Sequence, residues 1–359
     1  MDSIAQKAKK RISWLDLART IAILCVVLCH ATESVNTLEL ETVPLWGFCQ
    51  KVVVFSMFTI GRLGVPIFFF LSGYLLLDRE YNANDCHRFW KRNLIPLFIS
   101  AEIWIVLINL FLTWYHGNTL DFKLLILQMC FLRNLNMGHM WYLPVILGIY
   151  LFLPIIAIII QKIDRNILLI PFVVSGIYLF GVPLGNLLLK ALPSGVVLAR
   201  PLDLDFVGGI YGIYLCIGYG FKEGYLRRFS TTNLFMGTIL FFILAVGFQL
   251  FMYSKNVRYN IWYDSIFLLG GSICLFSLIR KAEHMKTYWL FQRISICSFG
   301  IYVIHRPIQY LLDRYFIPQE WHIGVMVLWL SSFVISWLLV EAISRIPHMG
   351  RILFLIKDK

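Results

Sequence analysis

The chain has 359 residues, of which 59% are hydrophobic and only 14% charged, and its mean hydropathy is +0.74. Soluble domains are about 25% charged and about 45–50% apolar, so this composition excludes a soluble globular enzyme, a disordered chain and a disulfide-stapled secreted module. The net charge is +12, yet no basic stripe on a polar surface goes with it. Nucleic acid is therefore not an expected partner, and the excess Lys and Arg mark loops beside anionic lipid.

The start, Lys7-Ala8-Lys9-Lys10-Arg11 before an apolar stretch, imitates a signal peptide. Asp16 and Arg19 interrupt that stretch, and Cys29-His30-Ala31 is a poor cleavage site, so it reads as an uncleaved first membrane helix. A crossing takes about 20 apolar residues. This places spans near 14–31, 44–77, 94–115, 140–160, 167–183, 204–221, 234–253, 261–279, 294–313 and 323–344. The second is too long for one straight crossing and is interrupted at Gly61-Arg62-Leu63-Gly64-Val65-Pro66. It crosses once, with a re-entrant or interfacial lead-in over 44–62, or it crosses twice.

Charge favours one crossing. With ten spans, the segments on the side of both termini carry 21 Lys or Arg and the opposite loops carry 7, so both termini are expected to be cytoplasmic. Residues 121–135 are apolar but short, which suggests an interfacial helix. No loop is long enough for a soluble domain, and no internal repeat appears. The expected fold is all-α: a polytopic membrane helix bundle of about ten transmembrane helices, one domain over residues 1–359, in the lipid bilayer of a cell membrane. The eight cysteines have neither CxxC nor zinc-finger spacing and read as small packing residues. Cys25 and Cys29 share a face next to His30, too weak a pattern to predict a metal.

An ionisable side chain at bilayer depth costs about 2.5–3.5 kcal/mol and usually faces a cavity or a partner. Asp16, Arg19, His30, Arg62, Glu102, Asp264, His305 and Arg306 are such groups. Asp16 and Arg19, three apart, share a face where they can pair, either for chemistry or as an ion pair that pins helices. His30 follows Arg19 by eleven residues, about 16 Å along the axis on a similar face. An imidazole there is either a hydrogen-bonded packing group or a general base, and His305 carries the same ambiguity. Phe68-Phe69-Phe70-Leu71-Ser72-Gly73 is a packing motif whose Ser-Gly permits close backbone approach, or a cavity wall with Ser72 as donor. Arg88, Lys91 and Arg92, just before Pro96, are a topology anchor or a cradle for a phosphate-rich ligand.

In order along the chain, these segments resemble the integral-membrane acyltransferase-3 family, which O-acylates sugars and related acceptors at bacterial envelopes. Trp14-Leu15-Asp16-Leu17-Ala18-Arg19, with His30 after ten intervening residues, is similar to the family's opening helix. Phe68-Phe69-Phe70-Leu71-Ser72-Gly73 resembles its FFxxSG element, and Arg88 to Lys91 its RxxR element with Lys in second place. His139-Met140-Trp141-Tyr142-Leu143, with Pro154 downstream, and Ser298-Phe299-Gly300-Ile301-Tyr302-Val303-Ile304-His305 resemble two later elements. The overall character is similar to the stand-alone branch that includes the enterobacterial common antigen O-acetyltransferase.

The resemblance implies an O-acetyltransferase of the bacterial cytoplasmic membrane. Its donor substrate would be acyl-CoA, acetyl-CoA foremost, and its acceptor a hydroxyl of an envelope glycan, lipid-linked sugar or related molecule. It implies Arg88, Lys91 and Arg92 as the donor cradle, His30 as base or acyl carrier, and Arg19 supported by Asp16 as the group that orients the donor or stabilises charge. Ser72, Phe68, Phe69, His305 and Trp141 would line the pocket, with Glu102 and Asp264 further out. Lys91 departs from the pattern, because it meets phosphate as a point charge without the guanidinium fork. On physics alone, a multi-pass transporter of a small hydrophilic solute or lipid-linked sugar fits equally well.

Overall fold

The computed structural model describes residues 11–192, 195–205, 208–286, 288–316 and 321–356. Among these it is all-helical, with no strand. In chain order the α-helices are α1 (Ser13–Val35), α2 (Phe48–Arg62), α3 (Gly64–Leu76), α4 (Ala83–Phe89), α5 (Ile95–His116), α6 (Phe122–Met129) and α7 (Tyr142–Lys162). Then follow α8 (Arg165–Lys190), α9 (Gly209–Lys222), α10 (Thr231–Ser254), α11 (Ile266–Arg280), α12 (Trp289–Phe316), α13 (Trp321–Ile343) and α14 (Met349–Phe354). The basic start at Lys7, Lys9 and Lys10 lies outside the described residues.

Seven helical stretches among the described residues are long and apolar enough to cross a membrane, which makes this a multi-pass membrane protein. The three other expected spans coincide with α9, α11 and α12, of which α9 and α11 have only 14 and 15 residues. The long second region resolves into α2 and α3 joined at Leu63, which keeps helical torsions of φ −65° and ψ −20°. No hairpin forms there. The combined stretch Phe48–Leu76 has 29 residues, about 43 Å at 1.5 Å per residue, so it exceeds a hydrocarbon core of about 30 Å without turning back.

Helix α1 is the hub, packing against α2, α3, α11, α12 and α13. Small residues make this possible: Ala18, Ala22 and Ala31 are fully buried and Cys25 and Cys29 nearly so. A Cβ at Gly61 would fall 2.5 Å from the Cys29 Cα, and one at Gly64 would fall 2.4 Å from the Ala22 oxygen. The glycines therefore sit where α2–α3 crosses α1, running antiparallel to it. Gly73 plays the part expected of Ser-Gly, since a Cβ there would lie 1.9 Å from the Leu215 oxygen on α9. By contrast, α8 carries Pro171 and Pro183 and turns most of its surface outward, as a lipid-facing helix does.

The connecting segments sort into two ends. At one, Lys222 pairs with Asp78 at 3.3 Å, Gln161 donates to the Leu77 and Arg79 carbonyls, Lys281 donates to the Arg227 carbonyl, and Arg11 donates to the Gln292 carbonyl. At the other, Arg258 pairs with Glu39 at 2.6 Å and Asn260 donates to the Leu38 carbonyl. Among the described residues, the parts of the basic segments at Arg11, 78–79, 161, 222–227 and 281–292 thus gather at a single end of the bundle.

Candidate functional site

A cavity of about 1360 Å³ opens at the basic end and runs inward between α1, α3, α7 and α12. Arg88, Lys91 and Arg92 stand at its mouth, and Arg19, Phe68 and Ser72 line its wall deeper in. The mouth has a local structural cause. Pro96 has no N–H to give the Arg92 carbonyl, and residues Trp90–Leu94 widen into a π-helical turn. Trp90 ties that turn to α7 by donating Nε1–H to the Leu151 carbonyl at 3.0 Å. Arg88 also meets Asp85 at 3.2 Å but keeps most of its side chain in solvent. Two further guanidinium groups, Arg79 and Arg351, line the same cavity. Arg351 is supplied by α14, which is pinned where Ser100 and Trp104 both donate to the Leu353 carbonyl, at 2.8 and 2.9 Å.

At the other end of α1 the structure assembles three histidines. The rings of His30, His139 and His305 lie 5.4 Å (30 to 305), 6.1 Å (30 to 139) and 5.0 Å (139 to 305) apart. His30 Nδ1 is 2.7 Å from a Glu33 oxygen, and the other oxygen of Glu33 accepts from buried Arg62 at 2.8 Å. A carboxylate at Nδ1 holds the proton there and leaves Nε2 as the basic nitrogen. Arg62 is held in turn by the faces of Phe58 and Trp262, at 4.6 and 4.4 Å. His305 is fully buried, with Nδ1 against the Tyr302 carbonyl at 2.7 Å and the Ile301 carbonyl at 3.1 Å. Its Nδ1 must therefore carry the proton, and Nε2 presents a bare lone pair. Arg306 caps the cluster, donating to the His30 carbonyl at 3.0 Å and to Ser34 at 2.6 Å.

Tyr302 connects the two regions. It lines the cavity, its ring stands 5.4 Å from that of His139, and its hydroxyl donates to the His139 carbonyl at 2.6 Å. Cys29, His30 and Glu33 also bring possible ligand atoms within 4.8 Å of one another. Both Glu33 oxygens are already taken by Arg62 and His30, so this group reads as an oriented histidine.

Several expectations need correction. Asp16 spends its carboxylate chiefly on Arg11, in a two-pronged contact at 2.6 and 2.8 Å, and Arg19 comes no closer than 4.0 Å. Arg11 reaches it by folding back from just before α1, a contact that spacing on one helix does not reveal. Phe69 is fully buried between Tyr142 and Tyr211 and faces away from the cavity, because its neighbour Phe68 takes the cavity side. Trp141 packs among Tyr211, Trp262 and Tyr263 as an aromatic roof. Glu102, on α5, is outside the cavity wall, with one oxygen buried and unpartnered. Asp264 precedes α11, which starts only at Ile266 after the Ser265 cap, so it belongs to a loop.

Glu33 and His139 as acid and ring partners of His30 were not singled out from the sequence. Glu33 had a signal, lying one helical turn after His30, but it falls beyond the apolar stretch that marked the span. Arg62 was visible only as an unexplained intramembrane charge.

A curated relative, named an amino-acid racemase, from Enterococcus faecalis, is 22% identical over 353 residues, covering 93% of this chain and 46% of its own length. This chain thus spans about half the length of that relative. No solved structure matches. A family described as an acyltransferase domain matches residues 12–341. That match runs from the start of α1 almost to the end of α13 and takes in every motif described above, and the chain belongs to the acyltransferase-3 family.

Proposed function

We propose that this protein is a membrane O-acyltransferase that moves an acyl group, acetyl foremost, from cytoplasmic acyl-CoA to a hydroxyl of an envelope glycan, lipid-linked sugar or related acceptor. In this reading the bundle crosses the bacterial cytoplasmic membrane ten times, with both termini and the basic end in the cytoplasm. The observation that carries it is the cavity that begins among Arg88, Lys91 and Arg92 and ends at Tyr302, against the histidine cluster. CoA bears several phosphates, and a mouth of Arg and Lys groups suits them. Family membership supplies the reaction class.

The chemistry follows from the two ends. His30 Nε2 takes the proton of the acceptor hydroxyl, whose oxygen attacks the thioester carbonyl. Arg19, at the cavity wall and about 16 Å along α1 from His30, faces the donor, which its positive charge holds and orients. As the tetrahedral intermediate collapses, the C–S bond breaks and the thiolate leaves, taking up the proton held on His30 Nε2 and so restoring the base. Alternatively, His30 carries the acyl group first and passes it to the acceptor.

Purified protein in proteoliposomes, given labelled acetyl-CoA and an envelope-glycan extract, should release free thiol and label the glycan. His30→Ala should lower that rate by about 10²–10⁴-fold while acetyl-CoA still binds. An unchanged rate would remove His30 from the mechanism. Movement of unmodified solute with no thiol release would favour a transporter instead.

A further inference from the structure

A second recess, of about 320 Å³, lies at the basic end and shares no lining residue with the large cavity. Its polar walls are Tyr225, Arg227, Ser277, Arg280, Lys281 and Glu283. Arg280, the last residue of α11, is only 7% exposed. Arg62, the other buried guanidinium among the described residues, has a carboxylate partner in Glu33, and half-buried Arg306 donates to Ser34 and Gln309, although each keeps a buried Nε without a partner. Arg280 has no such partner among the described residues. Its neighbour is the face of Tyr74, 5.9 Å away. The Arg280 nitrogens are not sealed away as the Nε atoms of Arg62 and Arg306 are, but open onto the recess, where a ligand can meet them.

The rest of the recess says what would complete it. Arg227, Arg280 and Lys281 face one carboxylate, Glu283, which Arg227 meets at 3.5 Å. Lys281 donates to the Arg227 carbonyl at 3.0 Å and has two further protons to give. The surplus is positive, and the donors are the types that grip phosphate oxygens. Exposed rings surround the opening's end of the bundle: Tyr225, Tyr288 and Trp289 are 57%, 54% and 67% exposed. Amphipathic rings of this kind sit at headgroup depth.

We infer that this recess binds a negatively charged phosphate group, carried by an anionic lipid headgroup or free in solution, with Arg280 as the buried anchor and Arg227 and Lys281 as the outer donors. The site does not depend on the acyl-transfer reading. It does adjoin the α1–α3 pair, because Tyr74, beneath Arg280, packs edge-on against Trp14 at 5.1 Å.

The test uses the full chain in detergent, with the unfolding midpoint followed by tryptophan fluorescence. Short-chain phosphatidylglycerol, short-chain phosphatidylcholine and sodium phosphate are titrated separately. Phosphatidylglycerol or phosphate should raise the midpoint while phosphatidylcholine does not. A response to the lipid alone assigns a headgroup, and a response to phosphate alone assigns the free ion. In R280Q the half-effect concentration should rise about tenfold or more, the weight of one well-placed cationic donor. R280K should recover part of the response, and K123Q, at an exposed position on α6 outside both cavities, should leave it intact. Should R280Q not fold, the R227Q/K281Q double variant, altered only at exposed positions, must weaken the response likewise. No midpoint shift with either anion, or a shift that these variants leave unchanged, overturns the assignment.

Discussion

The two ends of α1 solve opposite problems. Its start, with Arg19, opens onto a wide cavity rimmed by exposed cations, where charge is plentiful and geometry loose. Its far end, with His30, is closed and crowded: Glu33 holds His30, Arg62 holds Glu33 and two carbonyls hold His305, while the ring nitrogens of His139 have no partner. An open basic mouth suits a large, charged, exchangeable ligand, which gains from long-range attraction. A closed cluster in which His30 and His305 each have one proton position suits chemistry that needs a particular lone pair. The lesson is that one helix can carry capture and reaction because its two ends are solvated differently.

Glu33→Gln is the sharpest way to break this comparison. The amide keeps the shape but no longer fixes the His30 proton at Nδ1, and it leaves Arg62 without its counter-charge. Turnover should fall about 10²-fold or more, while KM for acetyl-CoA stays near wild type. A raised KM with turnover intact would mean that the two ends are not separate. The reverse signature is expected at the mouth. Arg351→Gln removes a cavity cation that approaches from α14. It should raise KM for acetyl-CoA about fivefold, leave turnover unchanged, and make KM less sensitive to salt. A smaller effect is expected from Lys91→Arg, which restores the fork that matches phosphate. KM should fall about two- to threefold, and an increase would show that Lys91 is placed for a point contact.

How much of this was legible in the sequence follows the same division. The mouth was readable, because Arg88, Lys91, Arg92 and Pro96 are neighbours in the chain and their chemistry is local. So was the placing of Arg19 and His30 along one axis of the first helix, since the 3.6-residue period and the rarity of intramembrane charge both point there. The closed end was half readable. His30 and His305 stood out as lone imidazoles, but their meeting with His139 depends on three helical segments converging from residues 30, 139 and 305. Arg11 taking Asp16, and Phe68 rather than Phe69 facing the cavity, depend on tertiary packing that no spacing rule encodes. The short α9 and α11 are apolar enough to resemble ordinary spans, yet their 14 and 15 residues fall below the usual crossing length.

Asp264 tests whether the far end is special for its fixed proton positions or merely for being buried. It lies in the loop before α11, on the same side as the histidines but outside their cluster. Burial raises its carboxyl above the ordinary value, against a smaller opposing pull from Arg200. The sign is then set: the charged form is disfavoured in the fold, so the ionised carboxylate costs stability at neutral pH. That cost fades as pH falls through the raised value and is gone below the value of the unfolded chain. Asp264→Asn should therefore raise the unfolding midpoint slightly at pH 7, by about 1–2 °C, with the gain vanishing on acidification and turnover unchanged. A loss of turnover comparable to that of Glu33→Gln would mean that any buried carboxyl at this end serves the chemistry, and the specific pairing of Glu33 with His30 would lose its meaning.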